Sequence, residues 1–277
     1  MDVSAAKFPN QLVTSIGTII HCRISAVNSK GEIIAKKYKG HTDTIKITAS
    51  EVQLFCRLPP EDTEENGFQI LSLANDEEDN VYIVTQCEPT DDVHHWKLFV
   101  FDAKGNMKHR CPLQFLDGKN DYRSSHSLVV TATKDKNIII VGLDEGPMYV
   151  FDSSGELKYS FPTKELDVDR LSISDENEII AAGRFSKFVY IYTEEVNLKR
   201  KFEVLEDHKV FDLAFNHVTK EVIVLTWNDR HEYFISSYST TGVKRETFRS
   251  PYRWARVFLT SDPSGPVALV YDHSVLY

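Results

Sequence analysis

The chain has 277 residues, 42% of them hydrophobic, and a formal net charge of −9. That length suits one large all-β domain or two smaller ones, and the acidic balance argues against the broad positive field that nucleic acid or an anionic membrane needs. No apolar run approaches 18 residues and no charged-then-apolar leader opens the chain, so no membrane association is expected and a reducing, cytoplasmic setting is.

Residues 11 to 57 are strand-like but irregular. Leu12 to Ile20 is apolar-rich, and His21 to Val27 alternates with Cys22, Ile24 and Ala26 on one face. Asn28-Ser29-Lys30-Gly31 predicts a hairpin turn and Glu32 to Tyr38 its return strand. Thr44 to Thr48 and Val52 to Leu58 predict two more strands. Pro59-Pro60 and the acidic stretch Glu61 to Glu65 then predict a loop ending at Asn66-Gly67.

From Phe68 a repeat emerges. Apolar strands begin at Val81, Ile138, Ile179, Val222 and Val267, at intervals of 57, 41, 43 and 45 residues. A spacing of about 40–45 residues is the period of a four-stranded propeller blade. Insertions around Pro89 to His95 and Pro112 to Arg123 account for the long first interval. A shorter strand and a polar turn precede each apolar strand, as in Ile70 to Ala74 before NDEEDN. Third strands follow, reading KLFVFD, PMYVFD, FVYIYT and FISSYS. Gly105, Gly155 and Gly242 stand four residues after the fifth residue of three of them, and Val196 occupies that place in the other. Glycine there supplies the positive φ of a hairpin turn. A more polar fourth strand closes each unit.

The second strands are apolar at consecutive positions, so both faces must be covered, as happens between neighbouring blades. Trp254 to Tyr277 supplies two strands and the start of a third, and residues 22 to 38 read as the strands that complete that unit. The expected fold is all-β, a β-propeller of four-stranded blades closed by strands from both termini. Six blades are preferred and five are the alternative. Residues 1–277 then form a single propeller, with 1–60 as irregular closing strands. The alternative assigns 1–60 to an immunoglobulin-like segment and 61–277 to the propeller.

The units LANDEEDNVYIVT…KLFVFDAKGNMKH and ISDENEIIAAG…FVYIYTEEVNLKR resemble NHL-type propeller repeats over roughly residues 68 to 277. The shared features are an acidic turn, an apolar strand and an aromatic-Asp-x-x-Gly hairpin. The Trp-Asp ending of WD repeats is absent. The resemblance implies a scaffold for protein or RNA partners, often fused to further domains.

The four cysteines, Cys22, Cys56, Cys87 and Cys111, form no CxxC pair and read as small buried hydrophobes. NDEEDN reads as a solvated turn, and His94-His95 as part of a polar loop, because strand neighbours point to opposite faces. Asp169, Asp212 and Asn216 form no convergent set of the lactonase kind, so no catalytic residue, metal or cofactor is assigned. Lys36-Lys37, Lys199-Arg200-Lys201 and Lys244-Arg245 read as charged outer strands that discourage edge aggregation.

Loops after second strands and before first strands emerge at one end of a propeller. The first set brings Gln86, Leu143, Arg184, Trp227 and Asp272 to that end, and the second brings Tyr122, Arg123, Arg170, Arg253 and Trp254. Trp, Tyr and Arg are enriched in binding hot spots. The expected function is a non-catalytic protein-interaction scaffold, a monomeric domain of a larger multidomain protein. The alternatives are an RNA-binding NHL-like propeller and a metal-dependent lactonase-like hydrolase.

Overall fold

A computed structural model describes residues 25–27, 32–36, 43–47, 52–60, 68–76, 78–90, 93–116, 128–132, 138–142, 147–162, 168–183, 185–249, 256–262 and 265–271. These residues form an all-β propeller arrangement of antiparallel sheets in chain order. The first sheet is β1 (Ser25–Val27), β2 (Ile33–Lys36), β3 (Asp43–Ile47) and β4 (Val52–Arg57). The second is β5 (Gln69–Asn75), β6 (Val81–Thr90), β7 (Val93–Phe101) and β8 (Met107–Pro112). The third is β9 (Leu128–Ala132), β10 (Ile138–Gly142), β11 (Met148–Phe151) and β12 (Leu157–Phe161). The fourth is β13 (Val168–Ile173), β14 (Ile179–Gly183), β15 (Phe188–Tyr192) and β16 (Leu198–Glu203). The fifth is β17 (His208–Asn216), β18 (Glu221–Asn228), β19 (Tyr233–Ser239) and β20 (Lys244–Arg249). Among the described residues the last sheet is the pair β21 (Arg256–Asp262) and β22 (Gly265–Tyr271). First strands meet first strands: β5 contacts β1 and β9, β13 contacts β9 and β17, and β21 contacts β17 and β1.

The consecutive apolar residues of the second strands have a direct explanation. Side chains alternate across a strand, so Val81 and Ile83 pack with Ile34, Phe55 and Leu58 of the preceding sheet. Tyr82 and Val84 face the other way, packing with Leu113, Tyr149 and Phe151 toward the next. In the same manner Ile179 and Ala181 join Met148 and Val150, whereas Ile180 and Ala182 join Leu213, Phe215 and Val224. Each sheet is thus one layer of two interfaces, and full burial of one such aliphatic side chain stabilises the fold by about 1.5–3 kcal/mol. The fourth strands carry the opposite pattern. β12 is exposed at Leu157 to Ser160, and β20 at Lys244 to Thr247.

One turn design recurs at seven places among the described residues. In the segments starting at Asp76, Asp102, Asp152, Ser174, Thr193, Asn228 and Ser239, the first residue's carbonyl accepts from the fourth residue's N–H. Its own N–H donates to the fifth residue's carbonyl. The first side chain accepts the fifth residue's N–H in every case. The fourth residue has positive φ: Asp79, Gly105, Gly155, Asn177, Val196, His231 and Gly242. Val196, where the glycine pattern breaks, therefore keeps the backbone of the glycine turns, and its side chain packs against the core cluster that includes Val150, Ile179 and Tyr190.

Glycine has a second reason at three of these turns. A Cβ on Gly105 would stand 2.0 Å from the Phe55 carbonyl oxygen, one on Gly155 2.1 Å from Cys111 Sγ, and one on Gly242 2.7 Å from Phe202 Cβ. Phe55, Cys111 and Phe202 belong to the fourth strands of the preceding sheets, so each third-to-fourth hairpin leans on its neighbour. Side chains reinforce the contact, with Tyr159 donating to the Glu194 carbonyl at 2.8 Å and Arg200 to the Thr240 carbonyl at 2.9 Å.

Three expectations are corrected. Residues 25–36 are the first two strands of their own sheet, continued by β3 and β4, and do not serve as outer strands of the last unit. The polar loop expected to hold His94-His95 is instead part of a long hairpin, in which both lie on β7, Gln86 pairs with Trp96 and Thr90 with Val93. Lys36 lies on a second strand and not on an outer one; its Nζ donates to the Ile70 carbonyl at 3.2 Å. Cys56 and Cys87 are buried as expected, whereas Cys111 is only half-buried, and all three are free thiols. Burial pushes the Cys56 thiol up to about 12.

Candidate binding face

The sheet order puts first-to-second and third-to-fourth turns at one end of the blades. Second-to-third loops and the linkers between sheets lie at the other end. The described ring residues, Gln86, Arg170 and Trp227, all stand toward that second end. Tyr122, Arg123, Leu143, Arg184, Arg253, Trp254 and Asp272 lie outside the described residues.

The three placed residues differ. Gln86 is buried within β6 and not in a loop. Arg170, expected in a loop, lies near the start of β13. Its Nε donates to the Phe211 carbonyl at 3.0 Å and lies 3.3 Å from an Asp212 carboxylate oxygen. A register shift between Val210 and Asp212 places Phe211 at a bulge in β17, so Arg170 ties one inner strand to the irregular backbone of the next. That is a positioning role, and the guanidinium is largely committed to it.

Trp227 is half-buried near the end of β18, opposite Lys209 and Tyr233. Three groups surround its ring. Phe185 meets it edge-on with centroids 5.7 Å apart. His231 stacks on it at 5.5 Å with the planes 19° apart. Lys209 Nζ stands 5.5 Å from the ring centroid, within cation–π range. Lys209 also donates to Asp229 at 3.0 Å, and that bond lowers the Asp229 carboxyl below its ordinary value, helped by Lys187 and His231 nearby. The indole N–H of Trp227 is buried without a hydrogen-bond partner among the described residues.

The two flanking rings share a backbone feature. Phe185 has φ +64° and His231 φ +57°. Left-handed backbone costs an L-residue roughly 1–2 kcal/mol. For His231 the five-residue turn from Asn228 to Glu232 imposes it. For Phe185 the constraint comes from both sides. Its N–H donates to the Val210 carbonyl, and the Ser186 N–H donates to Gly183 while the Ser186 carbonyl accepts from Val210. Phe185 nevertheless remains 47% exposed, among the most exposed large hydrophobic side chains described. Sequence reasoning missed Phe185, His231 and Lys209. The available signal was an aromatic residue in a short loop between strands, two places after Gly183.

Below this platform the site becomes structural. His208 Nδ1 lies 3.0 Å from Thr226 Oγ1, its ring packs on Phe234 at 4.7 Å, and burial holds its pKa below the ordinary value against the opposing pull of Asp207 and Glu232. Phe211 meets Tyr233 edge-on at 5.6 Å. Among the described residues no group of three or more His, Cys, Asp or Glu side chains is arranged to hold a metal ion.

No family model matches the chain, and no curated protein does. Solved structures do. A protein of unknown function from Bacteroides caccae aligns with a TM-score of 0.60 at 11% identity, over 83% of this chain and 81% of that one. A catalytically inactive virginiamycin B lyase from Staphylococcus aureus, solved with quinupristin, aligns with a TM-score of 0.59 at 13% identity, over 91% and 84%. A chain of the mitotic checkpoint complex aligns with a TM-score of 0.56 at 11% identity, over 99% and 94%. The likeness shows the fold: the chain is a β-propeller protein, similar in architecture both to lyases and to a component of a protein assembly.

Proposed function

We propose that residues 1–277 form one six-bladed propeller of NHL type that serves as a non-catalytic, monomeric protein-binding scaffold in a reducing cytoplasm. The observation that carries the functional reading is the Phe185–Trp227–His231 platform. It sets a half-exposed aromatic ring in costly backbone at the end where loops vary. Support for six blades comes from the contacts of β21 with β1, which would close the ring of first strands. Closure then rests on those two first strands, with the N-terminal residues supplying a blade of their own. The free thiols of Cys56, Cys87 and Cys111 suit a reducing compartment.

The test is affinity capture from extract of the source organism. Three proteins serve as bait: wild type, a Phe185→Gly/Trp227→Ala variant, and an outer-strand Lys199→Ala/Lys244→Ala variant. The reading expects a protein partner to be kept by the wild type and the outer-strand variant and lost from the platform variant. Loss only from the outer-strand variant contradicts the assignment. Recovery of RNA in place of protein favours the nucleic-acid alternative.

A further inference from the structure

We propose that Thr241 is a phosphorylation site whose phosphoryl group is held by Arg200 of the neighbouring sheet. The phosphoryl donor is ATP, carried by a kinase that favours basic residues after its acceptor. The site lies at the opposite end of the blades from Trp227 and is independent of the binding-face reading.

One contact repeats along the blades and changes its chemistry from sheet to sheet. The third residue of a fourth strand reaches the backbone of the next third-to-fourth turn. His109 Nε2 lies 3.1 Å from the Ser154 carbonyl oxygen, Tyr159 donates to the Glu194 carbonyl at 2.8 Å, and Arg200 Nη1 donates to the Thr240 carbonyl at 2.9 Å. Charge on the turn is felt across this contact: after burial, the Glu194 and Glu195 carboxylates raise the Tyr159 pKa. Those two glutamates stand where the following turn has Thr240 and Thr241. The turn with two carboxylates therefore faces a neutral phenol, and the turn that faces a guanidinium has none. Asp102, Asp152 and the Glu194-Glu195 pair put a carboxylate in each of the other three described turns of this kind, whereas Ser239 to Val243 holds no acidic residue. Among the described residues no carboxylate bonds Arg200. One of its five N–H donors serves the peptide group between Thr240 and Thr241, and others are placed for an anion on Thr241.

The turn needs Ser239 but not Thr241. The Ser239 hydroxyl accepts the Val243 N–H and lies 2.7 Å from Thr241 Oγ1. The place of Thr241 is taken by Lys104, Ser154 and Glu195 in the sister turns, so the fold sets no hydroxyl there. Thr241 is exposed, and the exposed Lys244 and Arg245 follow it, a charge pattern of the sort that kinases read in their substrates. In the transfer, Thr241 Oγ1 bonds to the γ-phosphorus of ATP as the bond from that phosphorus to the β–γ bridging oxygen breaks. ADP leaves with the electron pair, and the hydroxyl proton passes to the kinase's catalytic base. The product carries nearly two negative charges and three acceptor oxygens, and it ties β16 to the turn before β20.

The full chain is incubated with magnesium ATP and either extract of the source organism or a kinase of the stated preference, and phosphate is located by mass spectrometry. The expected result is phosphate on Thr241, lost in Thr241→Val and reduced about tenfold or more in Lys244→Ala/Arg245→Ala. Phosphorylation should raise the melting temperature of the wild type by about 2 °C and leave that of Arg200→Gln unchanged. Comparing each protein with its own unmodified form removes the effect of the substitution itself. Phosphate on Thr247 in place of Thr241, or none on Thr241 under either condition, overturns the site. Phosphate on Thr241 with no rise, or with an equal rise in Arg200→Gln, overturns the Arg200 contact and leaves the site standing.

Discussion

The two ends of the blades solve the same problem, reversing a strand, in different ways. At one end, six turns share a single five-residue design, beginning at Asp76, Asp102, Asp152, Ser174, Thr193 and Ser239. Their left-handed residues are Gly, Asp or Asn, apart from Val196, which packs on the core; the β17–β18 turn at this end departs from the design and holds Lys220 left-handed. At the other end the described connections share no common length. They include the long hairpin at Thr90, the Phe185 loop and the Asn228 turn, and their left-handed residues include Phe and His. A left-handed glycine that leans on a neighbouring sheet is explained by the fold. A left-handed phenylalanine that packs on Trp227 with only part of its ring is explained by the fold in part, and strain of that kind gathers at functional sites. On the proposed reading, the contrast separates the end that holds the blades together from the end that binds a partner.

The largest effect should come from the strands that both ends share. Ile180 is wholly buried between the fourth and fifth sheets, so Ile180→Ala should cost about 2–5 kcal/mol in equilibrium denaturation. A loss below about 1 kcal/mol would mean that β14 is not a central strand.

Gly105→Ala comes next, because the new Cβ meets backbone, the Phe55 carbonyl, in addition to the positive φ. A loss on the order of 1–3 kcal/mol is expected. Gly242→Ala should lose less, since its neighbour is the Phe202 side chain, which can yield. The reverse order would show that the hairpins do not set the spacing between sheets.

A smaller effect is expected from acid at the variable end. The folded state favours neutral His208, because burial lowers its pKa from 6.5. Its contribution is present above that unfolded value and is lost as pH falls below it, through the lower folded pKa. His208→Gln should flatten the pH dependence of the melting temperature below about pH 6.5. An unchanged slope would show that the ring is not desolvated.

The architecture was legible because burial on both faces writes itself into consecutive apolar residues, as in VYIVTQ and IIAAG, and the repeat period reports the blade. The glycines at 105, 155 and 242 were legible as positive-φ residues. Their close approach to Phe55, Cys111 and Phe202 was not, since that depends on how neighbouring sheets dock. The turn signal was wider than glycine, because the hydrogen-bonding Asp, Ser, Thr or Asn at the first position is common to all seven turns, including Val196's. The N-terminal strands misled because strand order within a sheet is not written in a hairpin's own sequence; residues 22–38 fit outer strands as well as inner ones. On the binding face, counting loop positions found Trp227 but also selected Gln86, which the extension of β6 buries. It missed Phe185, whose one sequence signal was an aromatic residue two places after Gly183 and whose backbone angle depends on hydrogen bonds that the neighbouring sheet completes.

The claim that the variable end is kept for binding is tested most directly by the thermal unfolding of Phe185→Gly beside the wild type. If Phe185 is held against its backbone preference for a partner, removing it relieves that cost, and the variant should melt at or above the wild-type temperature. A variant that melts several degrees lower, as a loss of about 1 kcal/mol or more would produce, would mean that the ring is there to pack on Trp227. In that case the difference between the two ends would carry no function.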